Sequence, residues 1–562
     1  MQKQWKILIF IVISLKCCVT APIDIREEIS KYKDVADKII QYAVYGAAQN
    51  QSYNRLAKFT DMFGNRVAGS QNLENSISYI LHSMMSEGLE NVHGEHVKVP
   101  HWVRGKESAT MLEPQYHEMA ILGLGSSIAT PKNGIKAEVL VVNSFEELRK
   151  KAQLAEGKIV VFNQKWISYG ETVKYRSQGA SEAARVGALA SLIRSVTPFS
   201  IYSPHTGHQA YSEGVRKIPT ACITVEDADM MERMSKRGSK IVVVLKMSAQ
   251  TLNSTDSRNI VAEVVGHKYP EQTVLVSGHI DSWDVGQGAM DDGGGAFISW
   301  QALTILHELD LRPKRTVRAV LWTAEVRYFF FHTSKEFIQE RATRKEVGER
   351  GFHILSTDNL EGALADMWQN MCFINLGKVY RSISLMFETK NQAELVHHMS
   401  IHSADKITKL IKVKRVKLNR RERKLNQLKF CKICQEKQSS IGNNARNYSL
   451  VMESDEGTFT PEGLYFTGSK EAGMIMKEVL LLLKPINASR LVNSKVSGDI
   501  IFWVNEKVPG ATLMNKNGKY FYFHHTNADT ITVQDPHQMN LCAAVWAVVA
   551  YVVADLQNLL PV

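Results

Sequence analysis

Between residues 258 and 325 the chain reads strand, strand, helix, strand. The runs "RNIVAEVVG", "QTVLVSGHIDS", "DGGGAFISWQALTILHEL" and "RTVRAVLWTAE" follow one another with short connections. Apolar strands alternating with an apolar helix require a crossover that packs on the sheet, so this stretch argues for an α/β sheet with helices on both faces. The same texture resumes at "YSLVMESDEG" and runs through "GSKEAGMIMKEVLLLL" and "DIIFWVNEKVPGATL" to a C-terminal helix. The expected fold class is therefore α/β, with a central mixed sheet flanked by helices. The last apolar run, "LCAAVWAVVAYVVADL" at 541–556, is shorter than the roughly 20 residues that cross a bilayer, and reads as a buried core helix.

Two segments depart from this pattern. Over 105–248 short β-rich runs ("AEVLVV", "GKIVVFN", "KIVVVLKM", "KIPTACITV") surround a helical "SEAARVGALASLI" at 181–193, which suggests an inserted, mainly β domain. Over 326–446 no strand–helix order emerges. That second segment also carries the net charge of +11: it holds 23 Lys and Arg against 12 Asp and Glu, leaving 45 of each in the remainder. The basic character, densest at 406–424, is thus local, and reads as a solvated, poorly ordered stretch open to trypsin rather than a nucleic-acid surface. A lone "CKIC" at 431–434 lacks the second pair that a structural zinc site needs.

The expected organisation is a signal peptide at 1–21, a helical start of the core at 22–104, the β-rich insertion at 105–248, core at 249–325, the basic insert at 326–446 and core again at 447–562. The signal peptide rests on two early lysines, an apolar run from Ile7 to Leu15 and small residues around Ala21. Sequons at Asn50, Asn253, Asn447 and Asn487 fit a secreted, glycosylated chain. After the leader, Cys222, Cys372, Cys431, Cys434 and Cys542 form no disulfide framework.

The densest chemistry lies in "GHIDSWDVGQGAMDDGGG". His279 closes a strand, Asp281 follows two residues on, and Asp291 and Asp292 precede three glycines. Glu325 closes "AVLWTAE", Asp455 closes "YSLVMESD", and His525 lies in "FYFHHTNADT", read as a further strand end. Singly, such residues are more often structural. Imidazole and carboxylates gathered at strand ends suit zinc and metal-assisted hydrolysis, with Asp281 as the carboxylate that accepts the other ring N–H of His279.

These stretches resemble the secreted di-zinc exopeptidases of the aminopeptidase/glutamate-carboxypeptidase type, over nearly all of 22–325 and 447–562. The resemblance implies two Zn2+ per chain. His279 and Asp455 would ligate one ion, Asp291 would bridge both, His525 would ligate the second, and Glu325 would be the general base. It also implies a protease-associated domain over 105–248, a short propeptide after Ala21, and secretory-pathway or lysosomal pools beside the extracellular one. A short peptide or dipeptide is the expected substrate. Neither nucleic acid nor a membrane span is expected, and a homodimer is the assembly considered.

In that family a second glutamate follows the first and ligates the second zinc; here the residue is Val326. The second ion then keeps Asp291 and His525, fewer than the three protein ligands usual for catalytic zinc. His332, Glu336 and Glu340 are the insert's candidates for replacing it. The clean edges of 326–446 favour an alternative or mis-joined coding segment over a functional insertion. Two readings follow: a zinc exopeptidase of short peptides, or a catalytically inactive relative that keeps the peptide cleft.

Overall fold

The computed structural model describes residues 23–325, 445–496 and 498–562. The expected signal peptide, almost all of the basic insert with the run expected to be open to trypsin, the CKIC pair, Cys372, and the candidates His332, Glu336 and Glu340 lie outside the described residues. Among the described residues the helices Ile23–Ser30, Lys33–Ile40, Gln51–Phe63 and Gln71–Ser86 come first. In the last of these the Ser70 hydroxyl accepts the Leu73 N–H at 3.1 Å and caps the start, while Leu73, Ile77, Ile80, Leu81 and Met84 form one buried stripe.

Two eight-stranded sheets organise the rest. The first runs Glu90–Val103, Gln250–Val264, Arg315–Trp322, Tyr269–His279, Tyr448–Glu453, Gly510–Asn515, Pro461–Thr467, Arg490–Asn493. Its four central strands are parallel, and antiparallel strands pair on either side of them. Such a sheet is buried on both faces, which explains why Tyr448–Glu453 is buried at every position instead of alternating. The helices Gly294–Glu308 and Pro536–Asp555 pack in the same core, and the Trp546 indole N–H donates to Ser299 Oγ at 3.1 Å. The second of them is long and apolar enough to cross a membrane, but 83% of its most apolar window is buried in protein.

The second sheet lies within residues 107–247. Its strands Ile135–Val142, Ile159–Phe162, Ala190–Arg194 and Thr220–Ile223 are parallel, with antiparallel strands at both ends. One sequence expectation is corrected here: "SEAARVGALASLI" is not one helix. The helix Tyr169–Arg185 stops before Gly187, whose φ of +80° suits the left-handed turn that ends helices, and Ala190–Arg194 is a central strand. Arg104, one residue past Glu90–Val103, ties the sheets together: its Nε and Nη2 donate to the two carboxylate oxygens of Asp284, beyond the first sheet's Tyr269–His279, at 2.8 and 2.6 Å, and its Nη1 donates to the Gly123 carbonyl of the second sheet.

Candidate metal centre

The parallel strands bring their carboxyl ends to one place. His279 ends its strand, Glu325 stands three residues past Trp322, and Asp455 two past Glu453, where open α/β sheets bind their ligands. Asp291 arrives on the turn that enters the helix Gly294–Glu308. This helix can start here only because its first residues lack side chains: a Cβ on Gly295 would stand 2.0 Å from the Ser454 carbonyl oxygen. His525 does not end a strand, as its sequence suggested. It follows the short helix Tyr520–Phe523 and takes φ +64°, a left-handed conformation uncommon outside glycine.

The neighbouring aspartates divide the work between them. Asp292 is buried and accepts the His279 N–H on one oxygen and the Gly295 N–H on the other, both at 3.1 Å, so it secures the strand end to the helix start. Asp291 faces the other way. Its Oδ1 lies 3.3 Å from His279 Nε2 and its Oδ2 3.1 Å from His525 Nε2. His279 Nε2 is also 3.2 Å from Asp455 Oδ1 and 3.8 Å from Glu325 Oε2. Two groups of potential metal ligands result, His279–Asp291–Asp455 and Asp291–His524–His525, and Asp291 belongs to both. His524 was missed from sequence; the histidine doublet in "FHHT" was the available signal. Its ring stacks on that of His525 at 3.5 Å, and its Nε2 is 3.7 Å from Asp291 Oδ2.

Asp281 meets the other ring nitrogen of His279 with its main chain as well as its carboxylate. The His279 Nδ1 donates to the main-chain oxygen of Asp281 at 2.9 Å, closer than that residue's carboxylate at 3.4 Å. The carboxylate accepts the Glu325 N–H at 3.0 Å and so fixes where that acid stands.

The electrostatics suit a cation. Burial, then the nearby Asp455 charge, hold the Glu325 carboxyl well above its ordinary range, and burial with Asp291 and Asp499 raises Asp455 to about 6. Burial alone would depress the His279 imidazole, yet the carboxylates of Asp281, Asp291 and Asp455 hold it well above its ordinary value. Burial, then its neighbours, depresses His524. The His279 Nε2 is buried without a hydrogen-bond partner while it faces carboxylate oxygens. A divalent ion would give that nitrogen a bond and offset the crowded negative charge, so the donor set fits a metal. Of the sequons, Asn253 and Asn487 are exposed and Asn50 and Asn447 half-buried.

Paired histidine–carboxylate groups sharing one aspartate at the carboxyl edge of an α/β sheet belong with the metal-dependent hydrolases, and comparison with known proteins narrows the class to metallo-exopeptidases. The model for peptidase family M28 matches residues 259–375. Carboxypeptidase Q of Homo sapiens is 50% identical over 538 residues, spanning 96% of this chain and 92% of that protein; the Xenopus laevis protein is 48% identical over 96% and 93%. The crystal structure of a peptidase M28 precursor from Shewanella amazonensis SB2B superposes with a TM-score of 0.72 at 25% identity, covering 95% of this chain and 99% of that one. A zinc aminopeptidase from Bacillus subtilis shares the fold, with a TM-score of 0.54 at 15% identity over 90% and 95%. The chain belongs to peptidase family M28, with carboxypeptidase Q among its relatives.

Proposed function

We propose that this chain is a secreted, glycosylated, zinc-dependent exopeptidase that hydrolyses short peptides, dipeptides among them. The observation that carries the reading is Asp291, whose two oxygens face His279 and His525 from the centre of two ligand groups. Zinc fits the imidazole and carboxylate donors. His279, Asp291 and Asp455 would hold one ion, and Asp291, His524 and His525 a second, His524 supplying a donor where Val326 supplies none. Bound zinc contributes Lewis acidity toward the scissile carbonyl and the attacking water. Glu325, fixed through Asp281 and buried beside that position, takes a proton from the water and returns it to the leaving amine. The unit at 105–248 is read as the protease-associated domain, and Asn253 and Asn487, being exposed, as the more accessible glycosylation sites.

The test is peptide hydrolysis by the purified, zinc-loaded chain across a dipeptide panel, beside Glu325→Gln. Turnover is expected from the parent, with a loss of about 10²–10⁴-fold in the variant at unchanged zinc content. Zinc binding without turnover of any peptide contradicts the reading. Val326 favours one alternative, a non-catalytic relative that keeps the cleft. Calorimetry that finds one tight zinc per chain and no hydrolysis would support it.

A further inference from the structure

His525 is held in place by the second sheet rather than by the one that carries the rest of the centre. Its Nδ1 donates to the main-chain oxygen of Thr206 at 3.1 Å, and its own carbonyl accepts the Thr206 N–H at 3.0 Å. One residue earlier, the buried His205 ring donates from Nδ1 to the His524 carbonyl at 2.7 Å. The loop carrying His205 and Thr206 thus clamps the backbone of both candidate ligands, including the unusual positive φ of His525.

Behind the clamp stands Arg176, on the helix Tyr169–Arg185 and wholly buried. Its Nη1 donates to the same Thr206 oxygen at 3.0 Å and lies 3.4 Å from His525 Nδ1; its Nη2 donates to the Tyr169 hydroxyl at 2.6 Å. A carbonyl oxygen has two lone pairs, so it takes both donors, and the arginine fixes the direction in which that oxygen meets the imidazole. The fold makes room for the guanidinium at the adjoining position: Gly207 has φ +148°, and a Cβ there would stand 2.3 Å from Arg176 Cζ. With Nδ1 turned to Thr206, the Nε2 lone pair of His525 is left facing Asp291.

We infer that Arg176 is a positioning residue for the metal centre: through the Thr206 carbonyl it sets the ring orientation of His525, so that the second sheet completes the site. The inference rests on the metal-centre reading above. Partners that orient a ligating histidine are worth about 10–100-fold in metal affinity when removed.

The experiment is zinc affinity by chelator competition, with the visible absorption of the cobalt-substituted chain, on the full-length parent, Arg176→Met, Arg176→Lys and Tyr169→Phe. Arg176→Met is expected to weaken the more loosely held ion about 10–100-fold and alter its cobalt spectrum, with partial recovery in Arg176→Lys. A merely structural role would lower the unfolding temperature of the metal-free chain and leave affinity and spectrum untouched, which overturns the inference. Should Arg176→Met fail to fold, Tyr169→Phe decides: it frees one anchor of the guanidinium and is expected to weaken the same ion, and an unchanged affinity overturns the inference. A parent chain that binds no zinc overturns the metal-centre reading itself, and the inference with it.

Discussion

At the scale of single residues, the adjacent carboxylates Asp291 and Asp292 make different contributions, and mutation separates them. Asp291→Asn is expected to abolish zinc binding and also to destabilise the metal-free chain near neutral pH: burial alone would raise this carboxyl, yet His279 and His525 hold it well below its ordinary range, so its ionised form supports the fold. Asp292→Ala removes a helix cap and leaves the His279 and Gly295 N–H groups without their acceptor, a loss of about 1–3 kcal/mol that urea denaturation of the metal-free chain would register. The sequence "DDGGG" held the pair without distinguishing its members, since which one faces the site depends on where the helix begins. His279, Glu325 and Asp455 were legible because each stands at or just past the end of a strand in the sequence. Thr206 and Arg176 were not. They lie 319 and 349 residues from His525, and nothing in "YSPHTGHQ" or "KYRSQG" states that contact.

Elements were legible where one period dominates and illegible where two readings share a pattern. The run at 541–556 fits a buried helix or a membrane span by composition. Packing decides it: Trp546 is fully buried beside the helix Gly294–Glu308, and Trp546→Ala is expected to cost about 3–5 kcal/mol of unfolding free energy through the cavity it leaves. The run at 181–193 misled because Ala-rich sequence continues the helical pattern past Gly187, and only pairing with the strands beside it makes 190–194 a strand. The loop that carries His205 allows a pH test. Burial pushes that imidazole down to about 3, against about 6.5 in an unfolded chain. Between these values the unfolded state binds one more proton, so stability falls as pH is lowered from 6.5 toward 3, by about 1.4 kcal/mol per unit from this group. His205→Gln removes that proton, and denaturant titrations of the metal-free chain at pH 4.5, 5.5 and 6.5 should show a correspondingly flatter slope; an unchanged slope contradicts a neutral, buried His205.

For the whole molecule, the arrangement makes the two sheets parts of one functional unit. Arg104, held by Asp284 and donating to the Gly123 carbonyl, joins them in one place, and Thr206 with His525 in another, at the candidate metal centre. The overall α/β class was readable from strand–helix order alone, whereas the junction between sheets depends on pairings hundreds of residues apart that no periodicity records. The central claim is that Asp291 sits between metal ions held by the two ligand groups. Zinc-edge anomalous diffraction from crystals of the zinc-loaded full chain tests it most directly. Two peaks about 3.5–4 Å apart are expected, one beside His279 and Asp455 and the other beside His525, with an Asp291 oxygen on each; an absence of peaks at this centre, or zinc bound elsewhere with Asp291 free of it, would contradict the claim.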